Sequence, residues 1–414
     1  GCREELRWRR STKESGTKEN MMKYIAVLFA LLWCLTPLAA QDMQISGLFD
    51  STVSLEAGTG DAEAFSYGIE EYANLRVRAD IGDYARFYGA FNLIAGAGTS
   101  LNTATVMSAL NAATTGLSAS PYIAGDNYAA AMELERLYVQ VNSNALDLVT
   151  GLMPLHFGYG QVFGPSDFLN PRNVLFPDAR ARGIIGASAA FYYPESAKVR
   201  AFAAAPQRLT SAAAINSAGE GFRFGLAADN DWNWGSVQAL YVFETPQSAA
   251  PDGRHQMGLS IKADVELGLV MDALYTYDHA ARNDALNGLS ASAGFDYSLL
   301  DGDFYVLAEY LYNGASSITA RSAANPSGLV VKRHYAYALC RYMFSDYTNV
   351  SLSCMVGIED ASFLPTASFY HELFQGMGMR FSAQFPLAIE EDGEFAPRTM
   401  GRHFSFTTKV SFRF

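Results

Sequence analysis

A two-residue hydrophobic period, an alternation of short and long connections, and 414 residues of which 50% are hydrophobic predict an all-β chain. The expected architecture is a single transmembrane antiparallel β-barrel of 16–18 strands, apolar outside and polar inside, counted along the sequence. Phe and Tyr, 27 and 23 in number, supply enough aromatic surface for such a wall. No apolar stretch beyond residue 40 is long enough for a spanning helix, so the strands must do the crossing.

The N-terminal residues read as a leader. Lys23 precedes the apolar run Ile25 to Leu35, and Thr36-Pro37-Leu38-Ala39-Ala40 follows as a small-residue site. A positive charge, an apolar core shorter than a membrane span and small residues after it define a secretory signal. Cleavage is expected after Ala40, and translation is expected to start at Met21 or Met22. Residues 1–40 hold seven Lys or Arg and four Asp or Glu, so residues 41–414 carry 23 bases and 38 acids, net −15. That balance argues against nucleic acid as a partner.

From Phe65 to Asp80, Phe65, Tyr67, Ile69, Ala73, Leu75 and Val77 oppose Ser66, Glu70, Asn74, Arg76, Arg78 and Asp80, with Glu71 the single exception. Phe222–Asp229, His255–Val265 and Asp303–Tyr312 alternate in the same way. Tight turns are expected at 81–83, 143–144, 194–196, 231–233, 300–302 and 345–346. Longer connections are expected around 97–130, 154–182, 206–219, 245–254, 279–287, 314–327 and 386–400. A barrel keeps this order because its two rims face different compartments, with short periplasmic turns and long extracellular loops. A turn near Gln375-Gly376 gives 18 strands; one unbroken strand there gives the wrong parity.

With apolar faces outward, the lumen receives Glu70, Arg76, Arg78, Arg136, Arg200, Arg223, Lys262 and Glu309, together with Asp80, Lys198, Asp229, Asp264, Lys409 and Arg413. The reverse sense would put Arg and Lys into lipid at about 2–4 kcal/mol each near the midplane. This set has nine bases and five acids. Two readings follow: a lumen biased toward anions, or charges that pair across the lumen and hold the wall. Parity also puts Tyr335, Tyr337 and Leu339 outward and Cys340 inward, with Cys354 outward, so Cys340 and Cys354 are expected as free thiols on opposite faces.

The chain ends on a strand from His403 to Phe414, with Phe404, Phe406, Thr408, Val410, Phe412 and Phe414 on one face and His403, Ser405, Thr407, Lys409, Ser411 and Arg413 on the other. It resembles the C-terminal aromatic strand of bacterial outer-membrane β-barrels. That resemblance implies an outer-membrane location, contact with outer-membrane lipid, and recognition by the barrel-assembly machinery through Phe404, Phe406, Val410, Phe412 and Phe414.

The connection from His156 to Arg182 differs from the other long ones in having aromatics, three prolines and few serines. Such a composition predicts a fixed, partly buried path. Folded into the barrel, residues 154–182 would form a constriction with Asp167, Arg172, Asp178, Arg180 and Arg182 at the narrowest point. An extracellular loop resting on the rim is the alternative. The pattern F-G-x-G-x-x-F-x-P-x-D-x-x-N-P from Phe157 to Pro171 resembles a stretch of large porin-like outer-membrane barrels, including the alginate-export type, but has no Trp before the first glycine. The resemblance implies a channel.

Catalytic and metal-binding signals are poor. The six histidines, at 156, 255, 279, 334, 371 and 403, show no metal-ligand spacing, no nucleophile elbow is present, and no cofactor motif appears. Strand pattern begins directly after the expected cleavage site, without a plug domain. The expected function is passive diffusion of small hydrophilic, and on the basic-lumen reading anionic, solutes. An adhesive surface barrel with a closed lumen is the alternative from another class, and a channel for hydrophobic substrates a lesser one.

Overall fold

A strand crossing hydrocarbon must satisfy every backbone N–H and C=O on its neighbours, and only a closed sheet has no unpaired edge. The computed structural model describes residues 42–58, 65–99, 122–124, 127–169, 183–193, 196–206, 221–246, 252–278, 286–314, 333–391 and 393–414. The expected leader, residues 1–40, lies outside the described residues, as do Arg172, Asp178, Arg180 and Arg182.

The strands are β1 (Asp42–Gly58), β2 (Phe65–Ile81), β3 (Ala85–Gly98), β4 (Tyr122–Ala124), β5 (Tyr128–Asn142) and β6 (Leu146–Met153). They continue with β7 (Ile184–Tyr192), β8 (Ala197–Ala204), β9 (Arg223–Trp232), β10 (Gly235–Glu244), β11 (Arg254–Asp264), β12 (Gly268–Asp278) and β13 (Leu289–Leu299). The last are β14 (Phe304–Asn313), β15 (His334–Ser345), β16 (Thr348–Gly357), β17 (Ser362–Phe374), β18 (Met377–Gln384), β19 (Leu387–Ala388) and β20 (Arg402–Arg413). β4 and β19 are rim pieces of three and two residues. The other 18 form one antiparallel sheet that closes where β20 pairs with β1, from Leu48 opposite Arg413 to Glu56 opposite Ser405.

The seam shows why the sheet closes in this register. Inside, Lys409 Nζ lies 2.9 Å from Asp50 Oδ2 and Arg402 Nη1 2.6 Å from Glu56 Oε1. Outside, Val53, Phe406, Phe412 and Phe414 are exposed apolar groups. The chain end is held by the backbone: Gly47 N–H donates to Phe414 O at 2.8 Å, and Phe414 N–H returns to Gly47 O at 3.1 Å.

The wall inverts the soluble arrangement. Leu226, Met271, Leu352 and Phe295 are 43–59% exposed, while Asp272, Glu309, Asn74 and Ser260 are at most 4% exposed. Apolar side chains outside and polar ones inside suit hydrocarbon around the barrel and water within it. Connections at one rim span two to four residues, at 82–84, 143–145, 193–196, 233–234, 265–267, 300–303, 346–347 and 375–376. The turn at Gln375-Gly376, with Gly376 at φ +83°, separates β17 from β18 and fixes the strand number at the upper end of the expected range. At the opposite rim one connection, 358–361, is short where alternation implied a long one. Asp360, buried there, accepts the Ser362 N–H and hydroxyl at 3.2 and 2.7 Å, so the turn closes on its own side chains.

The parity expected for β15 is reversed. Tyr335, Tyr337, Leu339 and Arg341 stand opposite Leu311, Glu309, Leu307 and Tyr305 of β14 and so face inward. Cys340, opposite Leu352, and Cys354, opposite Ala338, both face outward. They sit on one face but diagonally, two positions out of register, and diagonal pairs lie beyond disulfide reach. The thiols are free, though not for the reason the sequence suggested. β15 misleads because its inner face is itself apolar, a docking surface for segments that enter the lumen.

Candidate functional site: the lumen and its docked segment

The wall changes between β5 and β7. β6 pairs only with Leu137–Asn142 of the longer β5, and β4 takes the upper part of that edge, opposite Ala129–Ala131. The chain therefore leaves the wall at Met153, partway up, and rejoins it at Ile184, which stands opposite Met153. Between them the described residues 154–169 run along the inner face.

Two apolar anchors and a set of polar clasps hold this segment. At the first anchor Leu155, Phe157 and Leu169 pack with Met153, Ile184, Phe202, Ala227, Leu240 and Val242. The Phe157 and Phe202 rings are 5.0 Å apart, and the Arg200 guanidinium lies 5.7 Å from the Phe157 centroid. At the second, Phe163 joins Leu311, Tyr335, Met355, Leu364 and Phe395. Burying these side chains at about 25 cal/mol per Å² favours the docked path.

Between the anchors the backbone donors converge on wall carboxylates. Gln161 N–H donates to Glu309 Oε1 at 2.7 Å, and the Val162 and Phe163 N–H groups donate to Oε2 at 3.0 and 2.8 Å. Ser166 N–H donates to Asp272 Oδ2 at 3.3 Å, and the Ser166 and Ser260 hydroxyls donate to Oδ1 of the same residue. Gly158 N–H donates to Gln238 Oε1 at 2.6 Å, and the Ser292 hydroxyl donates to Phe163 O at 3.1 Å. The Gln161 side chain bridges Asp296 Oδ1 at 2.9 Å and the Tyr305 hydroxyl at 3.0 Å. Residues from β10, β11, β12, β13 and β14 thus share one segment, which buried backbone donors require.

The local sequence makes this path accessible. Gly158 has φ +82°, and an added Cβ would meet the Asp272 carboxylate; at Gly160 it would meet Phe163 O. Pro165 starts the 3₁₀ turn Pro165–Asp167, whose last N–H donates to Gly164 O at 3.0 Å. Gly158→Ala is therefore expected to strain the left-handed backbone and push on Asp272, at about 1 kcal/mol or more. Limited proteolysis should show faster cleavage within 154–169, and an unchanged digestion rate would contradict the placement.

Asp167 lies within this segment, 2% exposed. Its Oδ1 accepts the Phe157 N–H at 3.2 Å and its Oδ2 lies 3.1 Å from His156 Nδ1, so the carboxylate closes the segment's own turn. Burial first, then the Asp229 and Asp231 carboxylates, push the Tyr159 phenol up to about 12. It stays protonated wherever the wall carboxylates are ionised.

The charged residues that the sequence assigned to the lumen sit on the inner face. Arg76, Arg78 and Arg136 share the wall of β2, β3 and β5 with Arg86, Arg76 opposite Ala90 and Ala90 opposite Arg136. Arg86 Nε reaches Asp80 Oδ1 at 2.7 Å, Arg78 Nη2 reaches Asp80 Oδ2 at 3.5 Å, and Arg136 Nε lies 3.5 Å from Glu135 Oε1. The Tyr88 and Tyr138 rings stack among them at 5.1 Å. Glu70 stands between Thr52 and Gly96. Arg223 lies 3.8 Å from Glu244 Oε2, and Lys262 3.1 Å from Asp264 Oδ2. Phe404, Phe406, Val410 and Phe412 line the outer face of β20.

Sequence reasoning missed Asp272, Gln238, Ser260 and Ser292, the wall side of the clasps. It also missed a second inserted segment. Phe395 is fully buried in the cluster around Phe163; the Tyr335 hydroxyl donates to Glu394 Oε2, and Glu394 N–H donates to Asp360 Oδ2 at 2.7 Å. The available signal was Phe395 set between Glu394 and Ala396-Pro397, shortly after the acidic stretch Glu390-Glu391-Asp392.

No family model matches this chain, and no curated protein matches it. Its fold is that of the outer-membrane porin barrels. The crystal structure of a BenF-like porin from Pseudomonas fluorescens Pf-5 aligns with a TM-score of 0.54 at 9% identity, over 90% of this chain and 99% of that one. OccAB4 of Acinetobacter baumannii aligns at 0.52 and 9% identity, over 91% and 99%. OccK5 (OpdH) of Pseudomonas aeruginosa aligns at 0.52 and 10%, over 90% and 98%.

Proposed function

We propose that the chain is a bacterial outer-membrane channel through which small hydrophilic solutes diffuse passively, narrowed by residues 154–182, with a local preference for anions. The observation that carries this reading is the docked segment: Glu309 and Asp272 clasp its backbone against the inner wall, inside a barrel whose outer face is apolar. A barrel of this strand number encloses more space than wall side chains fill, so a segment fixed inside it sets the free cross-section. The long-loop rim is then extracellular and the short-turn rim periplasmic, residues 1–40 serve as leader and signal, and the outward Phe404, Phe406, Val410, Phe412 and Phe414 present the final strand to the assembly machinery.

The bias toward anions is local. Many lumen charges pair with one another, as Lys198 does with Asp229 and Lys409 with Asp50. On the β2, β3 and β5 wall, however, four guanidiniums cluster toward the short-turn rim: Arg78 and Arg86 pair with Asp80, Arg136 with Glu135, and Arg76 donates to Asn74 Oδ1, while Glu70 and Glu133 lie further from that rim. That cluster would raise the concentration of anions at its own height in the lumen. Arg172, Arg180 and Arg182 with Asp178, further along the same connection, would add to the charge at the narrowing.

Planar-bilayer recording tests the reading. The purified protein is expected to give ohmic steps that enlarge when residues 158–176 are deleted, with a reversal potential in a salt gradient displaced toward anions. Membranes without steps would favour the adhesive reading, and unchanged steps after deletion would remove the segment from the pore.

A further inference from the structure

Glu71 is the one Asp, Glu, Lys or Arg that the strand register places on the outer face among the described residues. It faces outward because its neighbours across the sheet are Ser51 of β1 and Ala95 of β3, on the side of exposed Val53, Ile69 and Leu93. It is also at mid-height: Phe49 and Leu75 are exposed on one side along the strands, and Leu55 and Tyr67 on the other. The Ser51 hydroxyl donates to Glu71 Oε1 at 2.8 Å, while Oε2 is covered and has no hydrogen-bond partner. An ionisable group at this depth, half satisfied, marks an intramembrane contact more often than a lipid contact.

Lipid tails offer neither donor nor acceptor. A partner must be embedded in the same membrane and bring a polar group to the same depth. A second copy of this chain, related by a two-fold axis along the membrane normal, does so by symmetry, since its own Ser51 and Glu71 lie at the same height. The surroundings permit close approach, because Ala73, Ala95, Ala97 and Ala130 leave the outer surface of β2, β3 and β5 shallow around the carboxyl.

We propose that the outer face of β1 to β3 is a self-association surface, on which Glu71 turns outward and exchanges hydrogen bonds with the Ser51–Glu71 pair of a second copy. The contact is independent of whether the lumen conducts.

The test uses the full chain with Cys340 and Cys354 replaced by Ser, labelled for energy transfer in lipid vesicles over a range of protein-to-lipid ratios, with mass measured by light scattering in detergent. The unsubstituted face is expected to give dimers. Glu71→Leu should weaken association tenfold or more, while Glu71→Gln, which keeps a side-chain acceptor for Ser51, retains most of it; far-ultraviolet circular dichroism checks that each barrel is intact. A wild-type protein that stays monomeric at every ratio overturns the proposal. So does a Glu71→Leu protein that associates as the wild type does, since a carboxyl that only holds Ser51 would behave in that way.

Discussion

Glu309→Ala is expected to release residues 158–166 from the wall and to produce larger, noisier conductance steps. Both oxygens of Glu309 are committed to three consecutive N–H groups, at 2.7, 3.0 and 2.8 Å, and the residue is 4% exposed. A hydrogen bond to an ionised acceptor is worth about 1.5–3 kcal/mol. Losing three of them, with the Phe163 N–H buried, outweighs most single surface changes. Water admitted to the gap recovers part of this loss, which is why the expected phenotype is a loosened segment in an intact barrel. The apolar anchors at Phe157 and Phe163 remain, so the segment should fluctuate about them, seen as open-channel noise and as faster proteolysis within 154–169. Glu309→Gln keeps one acceptor oxygen and is expected to fall between wild type and Ala. Recordings of Glu309→Ala that superimpose on the wild type would show that the clasp does not control the opening.

The outer surface was legible in the sequence because hydrocarbon imposes one demand on every outward side chain. Phe65 to Val77, Glu71 apart, and Phe404 to Phe412 obey it, and their faces in the barrel are the ones the period-two pattern assigns. The inner surface is under no such single demand. Where water fills the lumen the inward residues are polar, as on β2 with Asn74, Arg76 and Arg78. Where chain enters the lumen they are apolar or aromatic, as with Leu240 and Val242 on β10 or Tyr335 and Tyr337 on β15. On β15 both faces are then apolar, the alternation loses its sign, and Cys340 was assigned to the wrong side.

The same logic explains how much of the candidate site was readable. Glycine, proline and aromatic content distinguished His156–Arg182 from the solvated connections, since a docked path needs both unusual backbone and apolar anchors. Its acceptors were not readable. Asp272 and Glu309 look alike in sequence to Asp229 and Asp50, which face Lys198 and Lys409 instead. Whether an inward carboxylate meets a cation or a backbone N–H depends on which loop arrives opposite it, and that is set by pairings far apart in the chain, such as Phe163 with Phe395.

Adjacent threonines on β20 offer a direct measure of the barrel's two environments. Thr407 stands opposite Ser382 and Ser54 on the inner face, and Thr408 opposite Phe381 and Val53 on the outer. The two share residue type, strand and nearly the same depth, so their responses to a charge differ only through what each faces. Thr408→Arg places a guanidinium against hydrocarbon and is expected to destabilise the folded barrel by about 2–4 kcal/mol. Thr407→Arg projects the same group toward water, with Lys409 and Arg380 as neighbours on that face. It is expected to cost under about 1 kcal/mol, chiefly through like-charge repulsion that salt screens. Equilibrium denaturant unfolding from lipid vesicles reads both values. A Thr407→Arg penalty that equals or exceeds that of Thr408→Arg would mean that the wall faces the other way, and the lumen, the docked segment and the channel would all lose their basis together.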